Sequence, residues 1–186
     1  MPNTDSKQKM PDDLKSCVEF HGHICPGLIY GYRVAKEVNK LMNIGRSVDE
    51  EVVAICKNDS CAVDALQVIL GTVAGKGNLI IKNFGKNAYT GKDKSEFDRL
   101  EVSVATGTAS EDDRRNLKRL KVSDLLARPF EEIFTTTEVP FDEPLCAPLA
   151  SSEPCAICGE MTMATKMMKL KDGRQVCIPC SKKSRK

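Results

Sequence analysis

The chain has 186 residues, 41% of them hydrophobic and 29% charged, with a net charge of +2, which is the balance of a folded soluble chain and not of a disordered one. Its longest unbroken apolar run, Val52 to Cys56, has five residues, against the about 20 of a membrane-spanning helix. Aromatic residues make up only 5%, with no Trp, so stacking of single-stranded nucleic acid is poorly supplied.

The start, MPNTDSKQKMPDD, is polar and predicts a loose tail without a secretory signal. Behind Pro11-Asp12-Asp13, the spacing of Leu14, Cys17 and Val18 predicts a short helix ending near His21-Gly22-His23. Pro26 opens a second helix, with Leu28, Tyr32, Ala35, Val38 and Met42 on one face and Gly45 past its end. Val52 to Cys56 is β-branched enough for a buried strand. Asn58-Asp59-Ser60 then offers helix-capping types, and Val63, Leu66, Leu70 and Val73 continue at helical spacing until Gly75 and Gly77. Strands are expected over Leu79–Phe84, Asn87–Thr90, Leu100–Ala105 and Phe134–Val139. A helix is expected from Ser110 through Leu117, Leu120, Leu125 and Leu126 to Ala127. Pro140, Pro144, Pro148 and Pro154 mark a semi-extended linker. Strands and helices interleave without a regular βαβ rhythm, so the expected class is α+β, a mixed sheet packed with helices. A small zinc-ribbon or treble-clef-like finger follows. The expected domains are 1–148 and 149–186.

Nine cysteines cannot all pair, and without a signal the expected compartment is the reducing cytoplasm, where clustered thiols read as metal ligands or reactive groups. Charge divides unevenly. Residues 151–186 hold eight Lys/Arg against three Asp/Glu, and the other 150 hold 20 against 23. The two parts are therefore expected to have different partners or tasks.

Cys155-Ala-Ile-Cys158 and Cys177-Ile-Pro-Cys180 give two Cys-x2-Cys pairs eighteen residues apart. Each pair lets one turn aim two thiolates at one ion, and Gly159 and Gly173 stand where sharp turns are needed. Four thiolates close the coordination sphere, so zinc here is expected to be structural and to supply much of the folding free energy of so short a segment. The alternative is a pair of redox dithiols. The basic tail suits an anionic surface such as nucleic acid, against the plainer role of a solubilising tail on a docking or dimerisation module. Met161, Met163, Met167 and Met168 suggest an adaptable apolar packing surface.

Both histidines lie in Phe20-His21-Gly22-His23-Ile24-Cys25-Pro26-Gly27. Cys25 begins one helix and Cys61 another, where a thiolate is favoured by the helix dipole and free N–H groups. Joined with His21 and His23 they make a soft N/S site that suits zinc, with nickel, iron or copper as alternatives, and with room for an open position. Asp59 and Asp64 are candidate acid–base groups or partners of a ligating histidine, against capping or surface charge. Cys56 reads as a core residue. Cys17 and Cys146 have no assigned role. Gly71 to Gly77 fails the P-loop pattern, which needs four residues before Gly-Lys and then Ser/Thr. A glycine-rich helix exit that brings backbone close to a site is expected instead.

These stretches, with Asp59-Ser60-Cys61-Ala62-Val63-Asp64-Ala65-Leu66-Gln67, Gly75-Lys76-Gly77-Asn78-Leu79 and Gly85-Lys86, closely resemble the E-subunit family of formylmethanofuran dehydrogenase. The resemblance covers about residues 14–180, including the Cys-x2-Cys-Gly-Glu finger. It implies an α+β domain with a metal site, a zinc-binding C-terminal domain and a homodimer. It maps the family's motif onto His23, Cys25 and Pro26, with His21 before it and Cys61 opening the next helix. Many members of the family carry Gly-Cys-Thr where this chain has Gly71-Thr72-Val73, which removes one thiol from any cysteine-pair chemistry. The family name implies one-carbon metabolism related to methanogenesis and association with a molybdenum or tungsten enzyme. No pterin or iron–sulfur motif stands in this chain.

Three functions follow as expectations. The first is a soluble, dimeric metal-binding accessory subunit or metal and assembly partner of a molybdenum/tungsten formyl or formate enzyme. Its metal ligands would be His21, His23, Cys25 and Cys61, and Cys155, Cys158, Cys177 and Cys180. The second is a stand-alone metalloenzyme, with water on an open-position metal and Asp59 or Asp64 as base. The third is a regulator binding nucleic acid through the finger.

Overall fold

The computed structural model describes residues 10–86, 88–93, 99–104, 120–138 and 149–184. The chain divides into two compact units, Met1–Ala147 and Pro148–Lys186. The architecture is α+β. Among the described residues no helix is long and apolar enough to cross a membrane.

In the first unit, α1 (Asp12–His21) ends where Gly22 takes a left-handed φ of 91° and returns its N–H to Val18. Reversal within so few residues requires that conformation, which glycine adopts without a Cβ clash. Then α2 (Pro26–Leu41) begins with Pro26 in its first turn and buries Leu28, Ile29, Val34, Ala35 and Val38. The strand β1 (Val52–Cys56) leads into α3 (Ala62–Leu70), a short 3-10 turn at Ala74–Lys76, and β2 (Leu79–Ile81). The remaining strands are β3 (Ala88–Asp93), β4 (Arg99–Val104) and β5 (Phe134–Glu138), with α4 (Val122–Ala127) before β5. The sheet order is β2-β1-β3-β4-β5. Only β1 and β2 run parallel, joined through α3, and the other pairs are antiparallel.

Side chains on β1 alternate between two apolar clusters, as the pleat demands. Ala54 and Cys56 join the main core of α1, α2 and α3, while Val53 and Ile55 gather with Ile80 in a second cluster. Cys56 is thus a core residue. Two glycines allow α2 to lie close to its neighbours. A Cβ on Gly31 would stand 2.2 Å from the Ala62 carbonyl oxygen, and one on Gly91 of β3 would stand 2.6 Å from Val38.

Several expected boundaries move. The helix α3 stops at Leu70, because Gly71 takes a φ of 73° and its N–H caps Gln67; Val73 lies beyond it in extended backbone. Gly71 to Gly77 therefore sits at the far end of α3 from Cys61, and Lys76 Nζ donates to the carbonyls of Val48 and Asp49. The strand expected to reach Phe84 ends at Ile81, whereas the one expected to end at Thr90 runs on to Asp93. The long helix to Ala127 is broken, since Lys121 is extended and only Val122–Ala127 is helical; Ser110 and Leu117 lie outside the described residues. The end of the proline stretch is not all linker, because Ser152–Pro154 pairs as a strand, while Pro140, Pro144, Cys146 and Pro148 lie outside the described residues.

The second unit is a pair of hairpins and a helix. The strands β6 (Ser152–Pro154) and β7 (Met161–Met163) pair, as do β8 (Met167–Lys169) and β9 (Gln175–Cys177), and α5 (Ile178–Lys183) follows. Gly159 and Gly173 take φ of 76° and 89° in the turns. The core is Val176 with Cys155, Cys177 and Cys180, backed by Leu170. Met161, Met163 and Met168 are exposed instead of packed into this core.

Candidate metal centres

In the finger, the four Sγ atoms of Cys155, Cys158, Cys177 and Cys180 all lie within 4.8 Å of one another. Cys158 and Cys177 are 3.9 Å apart. Four thiolates around zinc at 2.3 Å stand about 3.8 Å apart along each tetrahedral edge, so the cluster already has the dimensions of a filled site. Three of the thiols come from the turn and β9, and Cys180 comes from the first turn of α5. The thiols are not equivalent. Backbone N–H groups of Cys158 and Cys177 hold the Cys155 thiol down to about 6. A thiol hydrogen bond with Cys177, together with burial, pushes Cys180 up to about 12.

The N-terminal centre is assembled from three helix ends. His21 is the last residue of α1, His23 follows the Gly22 turn, and Cys25 is the N-cap of α2. Cys25 has extended backbone, and its Sγ accepts the Leu28 N–H at 3.4 Å. Ligand atoms of His21, His23 and Cys25 all lie within 4.8 Å of one another. His21 Nε2 is 3.8 Å from Cys25 Sγ, close to the about 3.6 Å edge between nitrogen and sulfur around a tetrahedral zinc.

Asp64 lies on α3, 43 residues away from His21 in sequence. Its Oδ2 stands 2.7 Å from His21 Nδ1, and its Oδ1 accepts from Gln67 Nε2 at 3.1 Å. A carboxylate on Nδ1 places the proton there and turns the Nε2 lone pair toward Cys25, the arrangement that a metal-binding histidine uses. Asp59 points elsewhere and accepts from Asn83 at 2.6 Å.

Cys61 stands at the N-cap of α3 and shares a hydrogen bond with Cys25, but it lies outside the set of three mutually close ligands. Burial first, then Cys25, raises its thiol above the ordinary value, which outweighs the benefit expected from the helix end. Gly27 makes the approach of the two cysteines possible. A Cβ there would stand 3.1 Å from Cys61 Cβ and 3.9 Å from Cys25 Sγ. Asn58-Asp59-Ser60 does not cap α3. The Asn58 carbonyl oxygen accepts from the Ser60 N–H and hydroxyl in a tight turn, and its amide donates to Lys86 O and the Tyr89 hydroxyl. Thr72 lies past the other end of the nine-residue α3, about 13 Å along the helix from Cys61. Within one chain, then, the missing family cysteine concerns a different place from the His/Cys cluster.

Both clusters could bind a metal ion. Residues 20–137 match the family described as "FmdE, Molybdenum formylmethanofuran dehydrogenase operon". The chain belongs to the FmdE family. A probable S-adenosyl-L-methionine-binding protein of Archaeoglobus fulgidus is 29% identical over 202 aligned positions, covering 94% of this chain. The chain spans about half of that relative's length, 54%. In fold, the chain resembles an FmdE-like protein of tungsten formylmethanofuran dehydrogenase type from Syntrophus aciditrophicus, with a TM-score of 0.61 at 24% identity, over 93% of this chain and 92% of that one.

The clustering of His21, His23 and Cys25 is legible locally, since all three fall within five residues. Gln67 was missed as a functional residue. Its only sequence signal is the three-residue spacing from Asp64 on one helix, which lets the two side chains meet.

Proposed function

We propose that this chain is a metal-binding accessory protein that acts as a homodimer with a molybdenum- or tungsten-dependent formyl or formate enzyme. The observation that carries the reading is the run Gln67–Asp64–His21–Cys25, a histidine held by a carboxylate with its free nitrogen facing a thiol. Such an arrangement fits a transition metal of borderline softness, zinc first. His21, His23 and Cys25 are the ligands, and Cys61, beside Cys25, supplies the fourth position. The four finger cysteines hold structural zinc and close its coordination sphere. At the N-terminal centre a bound metal would act as a Lewis acid, while the chain's own residues fix the ligand geometry. Asp64 is committed to His21 and Gln67, and Asp59 to Asn83. Their part in this reading is to orient neighbours, not to act as a base.

Membership of the FmdE family and the fold likeness support the partner class. The name of the Archaeoglobus relative belongs to a protein almost twice as long, so we do not take its ligand as this chain's. The double substitution His23→Ala with Cys25→Ala should remove about one metal per chain and leave the finger filled, as read by elemental analysis. Unchanged metal content would overturn the ligand assignment. For the partner, the chain should co-elute with molybdenum or tungsten when native extracts of its host are fractionated by size. Elution free of both metals would reject the accessory role.

A further inference from the structure

Beside the N-terminal centre, α1, α2 and α3 enclose a groove of about 530 Å³. Asp13, Ser16 and Phe20 line it from α1, Lys36 and Asn39 from α2, and Gln67, Val68 and Ile69 from α3, with Arg46 and Val73 at the end. Its volume falls in the range of small-molecule sites. Three features describe what it would hold. Asn39 Oδ1 is buried and has no hydrogen-bond partner among the described residues, so it calls for a donor from outside the chain. Arg46 donates from Nε to the Val68 carbonyl, and among the described residues its terminal amino groups carry no carboxylate. The other charges on the rim, Lys36 and Asp13, are already paired at 2.9 Å. Between these polar points stand Val68, Ile69, Val73 and the exposed ring of Phe20.

We infer that this groove binds a small amphipathic carboxylate bearing an N–H or O–H donor, and that the metal centre senses its occupancy through Gln67. The carboxylate meets Arg46 through the guanidinium fork. The donor meets Asn39 Oδ1, and the apolar body lies against Val68, Ile69 and Phe20. Gln67 forms part of the groove wall and at the same time holds Asp64 Oδ1, whose other oxygen holds His21. A ligand that draws on the Gln67 amide changes how firmly Asp64 is fixed, and hence the orientation of His21. The second half of the inference rests on the metal reading above. The first half does not.

The probe is N-acetyl-L-leucine, which carries one carboxylate, one N–H and an apolar body, with its methyl ester as control. Titration is followed by NMR on the full-length, metal-free protein, reading the side-chain amides of Asn39 and Gln67, Arg46 Nε and the His21 ring nitrogens. Saturable shifts with a millimolar Kd are expected for so small a ligand, with at least about tenfold weaker binding of the ester, since a charge-assisted pair is lost. Arg46→Gln should weaken the acid to the level of the ester. Ser16→Trp, at an exposed position that tolerates bulk, should block the groove without touching either polar anchor. The His21 shift should vanish in Gln67→Leu while the Arg46 shift persists. Absence of saturable shifts at Asn39 and Arg46, or equal binding of acid and ester, would overturn the site. Shifts at Arg46 with none at His21 in the unsubstituted protein would overturn the coupling alone. Failure of the metal reading would leave the groove titration unchanged.

Discussion

His21 gives one ring nitrogen to Asp64 and turns the other toward Cys25. Replacing Asp64 by Asn removes the charge that fixes this tautomer without removing a ligand. We expect metal affinity at the N-terminal centre to fall roughly 10- to 100-fold, measured by competition with a chromophoric chelator, with the finger unaffected. Thr72 offers a test of the opposite sign. It is fully buried, and its hydroxyl has no partner among the described residues. Thr72→Val keeps the shape and removes an orphaned polar atom, so it should stabilise the first unit by about 1 kcal/mol in urea unfolding. In the finger, the two extreme thiols set a pH dependence. Metal binding must remove the proton from every thiol still protonated, so affinity rises with pH. Cys155, held at about 6, is already ionised at neutral pH, whereas Cys180, pushed up to about 12, is not. Zinc affinity should therefore fall by at least about tenfold from pH 7.5 to 6.5, and more steeply below about pH 6 as Cys155 also takes a proton. An affinity flat across this range would contradict the four-thiolate site.

At the scale of elements, the centre depends on how closely α2 and α3 approach. Gly27 and Gly31 are one helical turn apart and face the start of α3. Gly31→Ala would drive a methyl group into the Ala62 backbone, so we expect a loss of about 3 kcal/mol or more together with weaker metal binding, read by thermal unfolding and metal competition. The helices themselves were legible from apolar spacing, because α1, α2 and β1 have strong periodicity between clear Pro and Gly stops. Two ends were not. The sequence Gly71-Thr72-Val73 keeps an apolar residue at helical spacing, and only the left-handed Gly71 shows that the helix has stopped. Lys121 is chemically fit for a helix, yet its extended backbone separates Leu120 from Leu125. Asn58 has the chemistry of a cap and instead closes a turn, because its amide is buried against Tyr89 and Lys86. Tertiary contacts decide such cases, and local spacing does not carry them.

Across the whole molecule, the two units bury separate cores, one a sheet covered by helices and one scarcely more than four cysteines and Val176. A core that small leaves most of the finger's stability to its metal. Chelation should therefore abolish the slow amide exchange of residues 152–183 and leave the sheet of the first unit protected, a contrast that hydrogen exchange reads directly. The division between units and the ligand types were readable from composition, cysteine spacing and charge. The pairing of His21 with Asp64 was not, since it joins residues 43 apart through helix packing. The central claim is that each chain holds two metals of different purpose. Elemental analysis of untagged protein, purified without added metal, tests it most directly. The account predicts about two metals per chain, at least one of them zinc. One zinc per chain, with none gained on adding transition metals to the purified protein, would contradict it.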